Sequence, residues 1–291
     1  MPKNDDKNKA IIQNHNSFLF YYQWIKLLCL SMFKYTNLPA GCDKKFIEKN
    51  FFENGNVIFA KNNKYGIINL SLKGNYERNV YDNPIRYTGS AGSFEMDCDF
   101  TNSVIVRNNI LSMATLPIAV FFADKISKVD RVYDVNLLGI KTPLIFKCSE
   151  KEYLTIQNIL NDIYSNVPAI KIKEKLDIQS KIEVLETKVP YLLDKLRDEK
   201  LSVMSEFLTF IGIQNVNITK KERLVKDEAT SNNQLTKMDL EIFLSERQEG
   251  LDKVNEMFGT NIKVEANQNI IEEMNSLLEN GNINKDGDDD E

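Results

Sequence analysis

The stretch from Thr187 to Asn233 constrains the chain most, because it pairs a strongly periodic segment with a long aperiodic one. Leu192, Leu193, Leu196, Met204, Phe207, Leu208 and Ile211 recur at helical spacing and leave one apolar stripe. Pro190 sits where a first-turn proline is tolerated, since its missing N–H would be unpaired there anyway. Asp194, Lys195, Asp198, Glu199 and Lys200 fall on the other face, and Gly212 is a stop signal. The spacing predicts a helix over 190–212. From Asn215 to Gln234 there are few apolar anchors and no period, so a polar loop is expected. Such a long structureless connection inside a folded chain is uncommon and is often either functional or disordered.

A second long helix is expected from Thr115 to Leu138, with Pro117 in its first turn and Gly139 after it. Ile118, Phe121, Phe122, Ile126, Val129, Val132, Tyr133 and Leu137 supply its spacing. Between the two helices, Leu144–Phe146, Ala169–Lys171 and Ile182–Val184 read as strands and Glu150–Tyr164 as a helix. The expected arrangement is an antiparallel pair of long helices with a compact α/β insert at one end.

Before this pair, Asn16 or Ser17 opens a helix expected to reach about Tyr35, and Asn37-Leu38-Pro39 ends it. A shorter helix follows from Asp43 to Phe52, then an Asn54-Gly55-Asn56 turn. Val57–Phe59, Gly66–Ile68, Arg86–Thr88 and Val104–Val106 are short β-type runs separated by Gly, Asn and Asp, which predicts a small antiparallel module. After the polar loop, a helix over Thr236–Phe258, a strand at Ile262–Val264 and a last helix near Asn269–Leu278 are expected.

Composition excludes several classes. An apolar fraction of 42% supports a substantial core. The net charge of −5 is concentrated after Asn284, where one lysine meets five acids, so the body is near neutral and the 281–291 tail reads as solvated. That balance does not suit a protein that grips nucleic acid over its whole surface. Cys29, Cys42, Cys98 and Cys148 form no C-x-x-C pair, which predicts buried free thiols, and His15 is the single histidine, which argues against a metal site. Asn282, Asn284, Asp286 and Gly287 resemble the start of a calcium loop but lack its closing glutamate. Phe18–Phe33 is interrupted by Gln23 and Lys26 and is shorter than a membrane span, so a soluble protein without a membrane partner is expected. There is no phosphate-binding G-x-x-x-x-G-K-[ST], no G-x-G-x-x-G and no G-x-S-x-G. No catalytic constellation is expected, and any ATP-driven step would need a separate protein.

The polar loop carries Lys220, Lys221, Arg223 and Lys226, opposed by Glu222, Asp227 and Glu228. One copy would hold DNA poorly, because phosphate contacts supply most non-specific affinity. Repeated around a symmetry axis, each lysine becomes a ring of charge that touches a duplex without gripping it.

The same residues carry a family resemblance. Lys220-Lys221-Glu222-Arg223-Leu224-Val225, Asp227-Glu228 and Ser231-Asn232 follow Pro190-Tyr191, Asp194-Lys195-Leu196 and Thr209-Phe210-Ile211-Gly212-Ile213. Phe243-Leu244, Arg247, Glu249, Asn255-Glu256, Gly259 and Val264 come after them; Lys141-Thr142-Pro143 and Asn37-Leu38-Pro39 with Phe46, Glu48 and Lys49 come before. In order and spacing this resembles the head–tail connector (portal, upper collar) proteins of small protein-primed tailed phages, the podoviruses.

The resemblance implies an α+β portal fold in a dodecameric ring at one capsid vertex. Its parts would be a wing (1–114) with N-terminal helices and a β module, stem helices (115–138 and 188–213), a clip (139–187), a channel loop (214–236) and a C-terminal helical part of the wing (237–280). It implies a channel for double-stranded DNA in packaging and ejection, with Lys195, Lys220, Lys221, Arg223, Lys226, Lys188 and Lys200 as channel residues. Lys195 matches a channel-facing lysine of the family; Glu186 stands at a second, with Lys188 beside it. The implied partners are major capsid and scaffold proteins, a packaging ATPase and a lower collar or tail protein. A packaging RNA stays open, since Lys3, Lys7 and Lys9 share the N-terminus with Asp5 and Asp6. The competing expectation is a collar or tail adaptor that binds only virion proteins.

Overall fold

A computed structural model describes residues 3–141, 144–147, 183–186, 190–213, 226–267 and 269. In chain order its elements are α1 (Lys3–Ser31), β1 (Phe33–Thr36), α2 (Lys44–Asn54), β2 (Asn56–Asn62), β3 (Gly66–Arg78), β4 (Pro84–Ala91), β5 (Phe94–Asp99) and β6 (Ser103–Arg107). Then come α3 (Leu116–Lys141), β7 (Leu144–Lys147), β8 (Glu183–Glu186), α4 (Leu193–Phe210), α5 (Lys226–Phe258) and β9 (Lys263–Ala266). They fall into two compact units, residues Met1–Asp130 with Asp198–Glu291, and Arg131–Arg197.

In the larger unit the five strands β5-β4-β3-β2-β6 form an antiparallel sheet. Successive residues of a strand point to opposite faces, and β2 uses both. Val57 and Phe59 join the main core, whereas Ile58 and Ala60 join a smaller one with Leu70, Tyr87 and Cys98. The main core gathers Ile25 of α1, Phe51 and Phe52 of α2, Ile126 of α3, Phe207 of α4 and Val254 of α5. All four β-type runs read from the sequence lie in strands. The fifth strand, β5, escaped notice because its sequence, Phe-Glu-Met-Asp-Cys-Asp, puts acids at alternate positions and lowers β propensity.

Local signals account for α2. The Asp43 carboxylate accepts the Lys45 N–H at 2.8 Å, and Gly55 closes the helix in the left-handed region at φ 75°.

Three expectations need correction. The first helix starts earlier and ends sooner than Asn16–Tyr35: Phe33–Thr36 is β1, paired antiparallel with β9 through Phe33↔Ala266 and Tyr35↔Val264. Pairing with a strand at the far end of the chain overrides the local helical pattern. The helix from Thr115 runs past Gly139 to Lys141, opened by the Thr115 C=O accepting the Ala119 N–H at 3.0 Å. The polar segment 214–236 is not all loop, since α5 begins at Lys226 and residues 226–236 are helical. Those roughly three turns are almost wholly polar, so no apolar stripe announces them, while Asp227 and Glu228 favour a helix N-terminus.

In the smaller unit β7 and β8 pair antiparallel, Ile145↔Leu185 and Phe146↔Val184. The helix expected over 150–164, the strand at 169–171 and most of the last helix lie outside the described residues.

Candidate functional site

The candidate site is the pair α3 and α4. Within the larger unit, Ala119, Phe122, Ala123 and Ile126 of α3 are buried together with Val203, Met204, Phe207 and Leu208 of α4. Phe122 and Phe207 meet with ring centroids 5.4 Å apart. Lys125 bonds Glu206 at 2.9 Å, and Asp130 accepts from Lys200 at 2.6 Å. Position numbers rise along α3 as they fall along α4, so the helices run antiparallel. Within the smaller unit Asn136 makes the corresponding tie. Its side-chain N–H donates to the Pro190 C=O at 2.9 Å, and its Oδ1 accepts the Leu192 N–H at 3.2 Å. This explains why α4 starts at Leu193 and not at Pro190: the proline carbonyl is engaged by Asn136, and the Leu192 C=O takes the first helical bond, from the Leu196 N–H at 2.9 Å.

The basic residues expected to serve the channel divide sharply. Lys195 is exposed on α4 and has no ion-pair partner among the described residues. Lys200 is engaged inside its own unit. Its ammonium donates to Asp130, lies 5.1 Å from the Tyr21 ring centroid, and shares Asp130 with the Tyr21 hydroxyl, which donates to the other carboxylate oxygen at 2.7 Å. Burial alone would lower the Lys200 pKa, but the bonds to Asp130 and Tyr21 outweigh it and hold the ammonium above the ordinary lysine range. Burial raises the Tyr21 phenol as well. Lys200 is thus a tie between α1, α3 and α4, a role invisible in the sequence because its partners come from two other helices. Lys226 stands at the first residue of α5 and not in a loop. Lys188, Lys220, Lys221 and Arg223 lie outside the described residues.

A second charged cluster was not anticipated as a unit. Arg247 of α5 is buried, donating to Glu48 of α2 at 2.8 Å and to the Asn108 Oδ1 at 2.6 Å. Its guanidinium lies 3.8 Å from the Phe33 ring centroid and 4.4 Å from that of Phe51. The Tyr35 hydroxyl completes the cluster by donating to Glu48 at 2.5 Å. Burial pushes the Glu48 carboxyl up, with Arg247 and Tyr35 opposing the shift. Its sequence neighbours, Glu246, Gln248 and Glu249, give no sign of it, because the partners come from α2, β1 and the residue after β6. Among the described residues no three His, Cys, Asp or Glu side chains gather as a metal site would require, and no helix is long and apolar enough to cross a membrane.

A long antiparallel helix pair, with strands β7 and β8 between its helices in sequence and a helix-backed antiparallel sheet before it, is a portal fold. A chain of the solved portal and tail of native bacteriophage P68 matches it at a TM-score of 0.53 with 16% identity, covering 91% of this chain and 90% of that one. Sequence comparison points the same way: the portal protein of Staphylococcus phage 44AHJD is 23% identical over 169 residues, 57% of this chain and 67% of that protein. The family model described as Phage Connector (GP10) matches residues 5–271, and the chain belongs to that family. It is therefore a portal, the connector at the head–tail junction of a phage virion.

Proposed function

We propose that the chain acts as a closed, dodecameric ring whose α3–α4 pairs form the wall of a conduit for double-stranded DNA. In this reading α3 and α4 are the stem, residues 142–187 the clip, and the larger unit outside the helix pair the wing. The segment between Ile213 and Lys226 leads from the stem towards the channel, carrying Lys220, Lys221 and Arg223.

The observation that carries the proposal is the contrast between the two sides of α4. One side is sealed against α3 by Val203, Phe207 and Leu208, and away from it stands the exposed Lys195, which has no ion-pair partner among the described residues and is flanked by Asp194 and Glu199. Mixed charge of this kind suits a surface that a polyanion must slide past, because neighbouring acids limit the phosphate attraction. Lys200, committed to Asp130, is left out of the proposed lining.

The ring would be passive. Packaging would be driven by a separate ATPase docked on the clip, the wing would meet major capsid and scaffold proteins, and a lower collar or tail protein would follow after filling. The chain itself is proposed to catalyse nothing.

Native mass spectrometry with electron microscopy of the purified chain tests the ring. Closed rings with a central hole are expected, and a chain that stays monomeric or dimeric on assembled capsids would favour an adaptor instead. In particles, Lys195→Glu together with Lys220→Glu and Lys221→Glu should leave assembly intact and change DNA retention. Unchanged DNA retention in such particles would reject the channel assignment of these lysines.

A further inference from the structure

The larger unit sorts its lysines by place. Lys26, Lys73, Lys125, Lys128 and Lys253 are paired, with Glu53, Glu95, Glu206, Asp124 and Glu249 in turn. Lys34, Lys44, Lys45, Lys61, Lys64 and Lys263 have no ion-pair partner among the described residues, and Lys45, Lys61, Lys64 and Lys263 are exposed.

These six lie on one connected surface. The pairs Thr36↔Lys263 and Lys34↔Glu265 put Lys34 and Lys263 on the face of the β1–β9 ribbon that points away from the buried Phe33 and Val264. The Asn37 side chain donates to the Asn261 C=O at 3.0 Å and so joins the approach to β9 to the connection before α2. That connection rests on β3: the Cys42 thiol donates to the Ile67 C=O at 3.5 Å, and the Asp43 N–H to the Asn69 Oδ1 at 3.2 Å. Lys44 and Lys45 follow as the first residues of α2. Lys61 stands opposite Ile67 in the β2–β3 ladder, and Lys64 lies in the turn beyond it, 5.1 Å from the Tyr65 ring centroid. The acids of this neighbourhood are few. Asp43 caps α2, and Glu265 and Asp252 make no ion pair among the described residues. The surface keeps an excess of positive charge.

The chain leaves β9 at the edge of this surface. Asn267 is held there, its N–H donating to the Met32 C=O at 2.7 Å and its side chain to the Ser31 C=O at 2.9 Å. Residues 270–291 hold eight acids, five of them at Asp286, Asp288, Asp289, Asp290 and Glu291, and one lysine, Lys285. Even with no structure of its own, a chain of these 22 residues spans about 25 Å. Tethering at Asn267 therefore keeps the acids within reach of the lysines at high effective concentration. Single exposed ion pairs are weak, but a run of acids that meets a cluster of unpaired lysines makes several at once. Blocks of like charge at a chain end are often interaction segments.

We propose that this lysine surface is the binding site of the chain's own acidic C-terminal segment, residues 286–291, which covers it against other polyanions. The contact is made within one copy and needs no ring.

The first test is cross-linking of the full chain with a water-soluble carbodiimide, which joins touching amines and carboxylates, read by peptide mass spectrometry. Isotope-labelled and unlabelled protein are mixed beforehand to tell links within a copy from links between copies. Links from 286–291 to Lys45, Lys64 or Lys263 within one copy are expected at low salt, and should vanish at about 1 M salt, where charges are screened within roughly 3 Å. Links spread evenly over exposed lysines, Lys195 and Lys253 included, overturn the proposal, because a merely solvated tail would give them. Links that join labelled to unlabelled chains overturn it by placing the segment on a neighbour.

Removal of residues 285–291 gives a second readout, the anisotropy of a short fluorescent DNA duplex. The shortened chain should bind it roughly tenfold tighter than the full chain at about 0.1 M salt. Lys45→Glu, Lys64→Glu and Lys263→Glu together in the shortened chain should abolish that gain. The same change of charge at Lys125, Lys128 and Lys253 should preserve it. No gain on shortening, or a gain lost equally with either set of lysines, overturns the proposal. Neither readout depends on assembly, so a chain that forms no rings counts against the ring reading alone.

Discussion

Arg247 and Glu48 meet at 2.8 Å with side chains only 4% and 2% exposed, an ion pair between α5 and α2 sealed inside the larger unit. Phe33 and Phe51 close over the guanidinium, and Asn108 takes its other arm, so α5, α2, β1 and the segment after β6 share one charge. Such a pair contributes less to net stability than its shortness suggests, because both ions give up water. Breaking it is another matter.

Arg247→Met is expected to cost about 3–5 kcal/mol in denaturant unfolding, because it leaves Glu48 buried without its cation. Arg247→Lys should lose much of this too, since a point charge cannot span Glu48 and Asn108 or stack between two rings. Glu48→Gln in the Arg247→Met background should cost less than the sum of the single changes. Additive costs would mean that the two residues stabilise the fold independently, and the pairing would carry no special weight.

Lys195 and Lys200 lie on one helix and should respond differently. Lys195→Met is expected to shift stability by less than about 0.5 kcal/mol, as for an unpartnered surface site. Lys200→Met should cost about 1 kcal/mol, the upper range for a partly exposed pair. The pH dependence separates them further. Lys200 and Tyr21 both have pKa values raised in the folded state. Their contribution is complete below the ordinary lysine and tyrosine ranges and is lost as pH rises through the raised values, from about pH 10 upward. Wild-type stability should therefore fall on that side, and Lys200→Met with Tyr21→Phe should flatten the fall. An unchanged alkaline slope would dismiss the tie.

How much of this was legible in the sequence depends on the range of the interaction. The seam between α3 and α4 could be read because Phe122, Ile126, Phe207 and Leu208 repeat at the period of the element that buries them. The cap of α2 was equally local, with Asp43 and Gly55 at its two ends. β1 was misread because Val264, its partner, lies at the other end of the chain and local pattern favoured helix. Residues 226–236 gave no signal because a polar helix has no stripe to detect. Lys195 and Lys200 look alike in sequence; only the fold, by bringing Asp130 and Tyr21 to Lys200, tells them apart.

Cys29, Cys42 and Cys98 should be silent in the native protein. Burial pushes Cys29 and Cys42 to about 12 and raises Cys98. At about pH 8 a thiol shifted so far has roughly a thousandth of the thiolate of an ordinary cysteine. Iodoacetamide should modify Cys29 and Cys98 only after unfolding, as read by peptide mass spectrometry. Rapid labelling of Cys29 in the folded chain would show that α1 opens far more often than its core contacts imply.

The exit from α4 depends on Gly212, and two glycines of similar backbone permit a controlled test. Gly212 has φ 82°, and a Cβ there would lie 2.5 Å from the Leu240 Cβ and 2.8 Å from its N. Gly259, at the end of α5, has φ 68° and nothing within reach of an added Cβ. Both alanine substitutions carry the left-handed backbone cost of about 1 kcal/mol. Only Gly212→Ala adds a collision with the backbone of α5, which cannot rotate away as a side chain would, for a further 1–3 kcal/mol or so. Denaturant unfolding should therefore rank Gly212→Ala well below Gly259→Ala. Because relief of the collision must separate α4 from α5, Gly212→Ala should also weaken ring assembly under conditions where the protein stays folded, and Gly259→Ala should not. Equal costs at the two sites would mean that α5 yields at Leu240, and that the close approach of these helices is not what sets the end of α4.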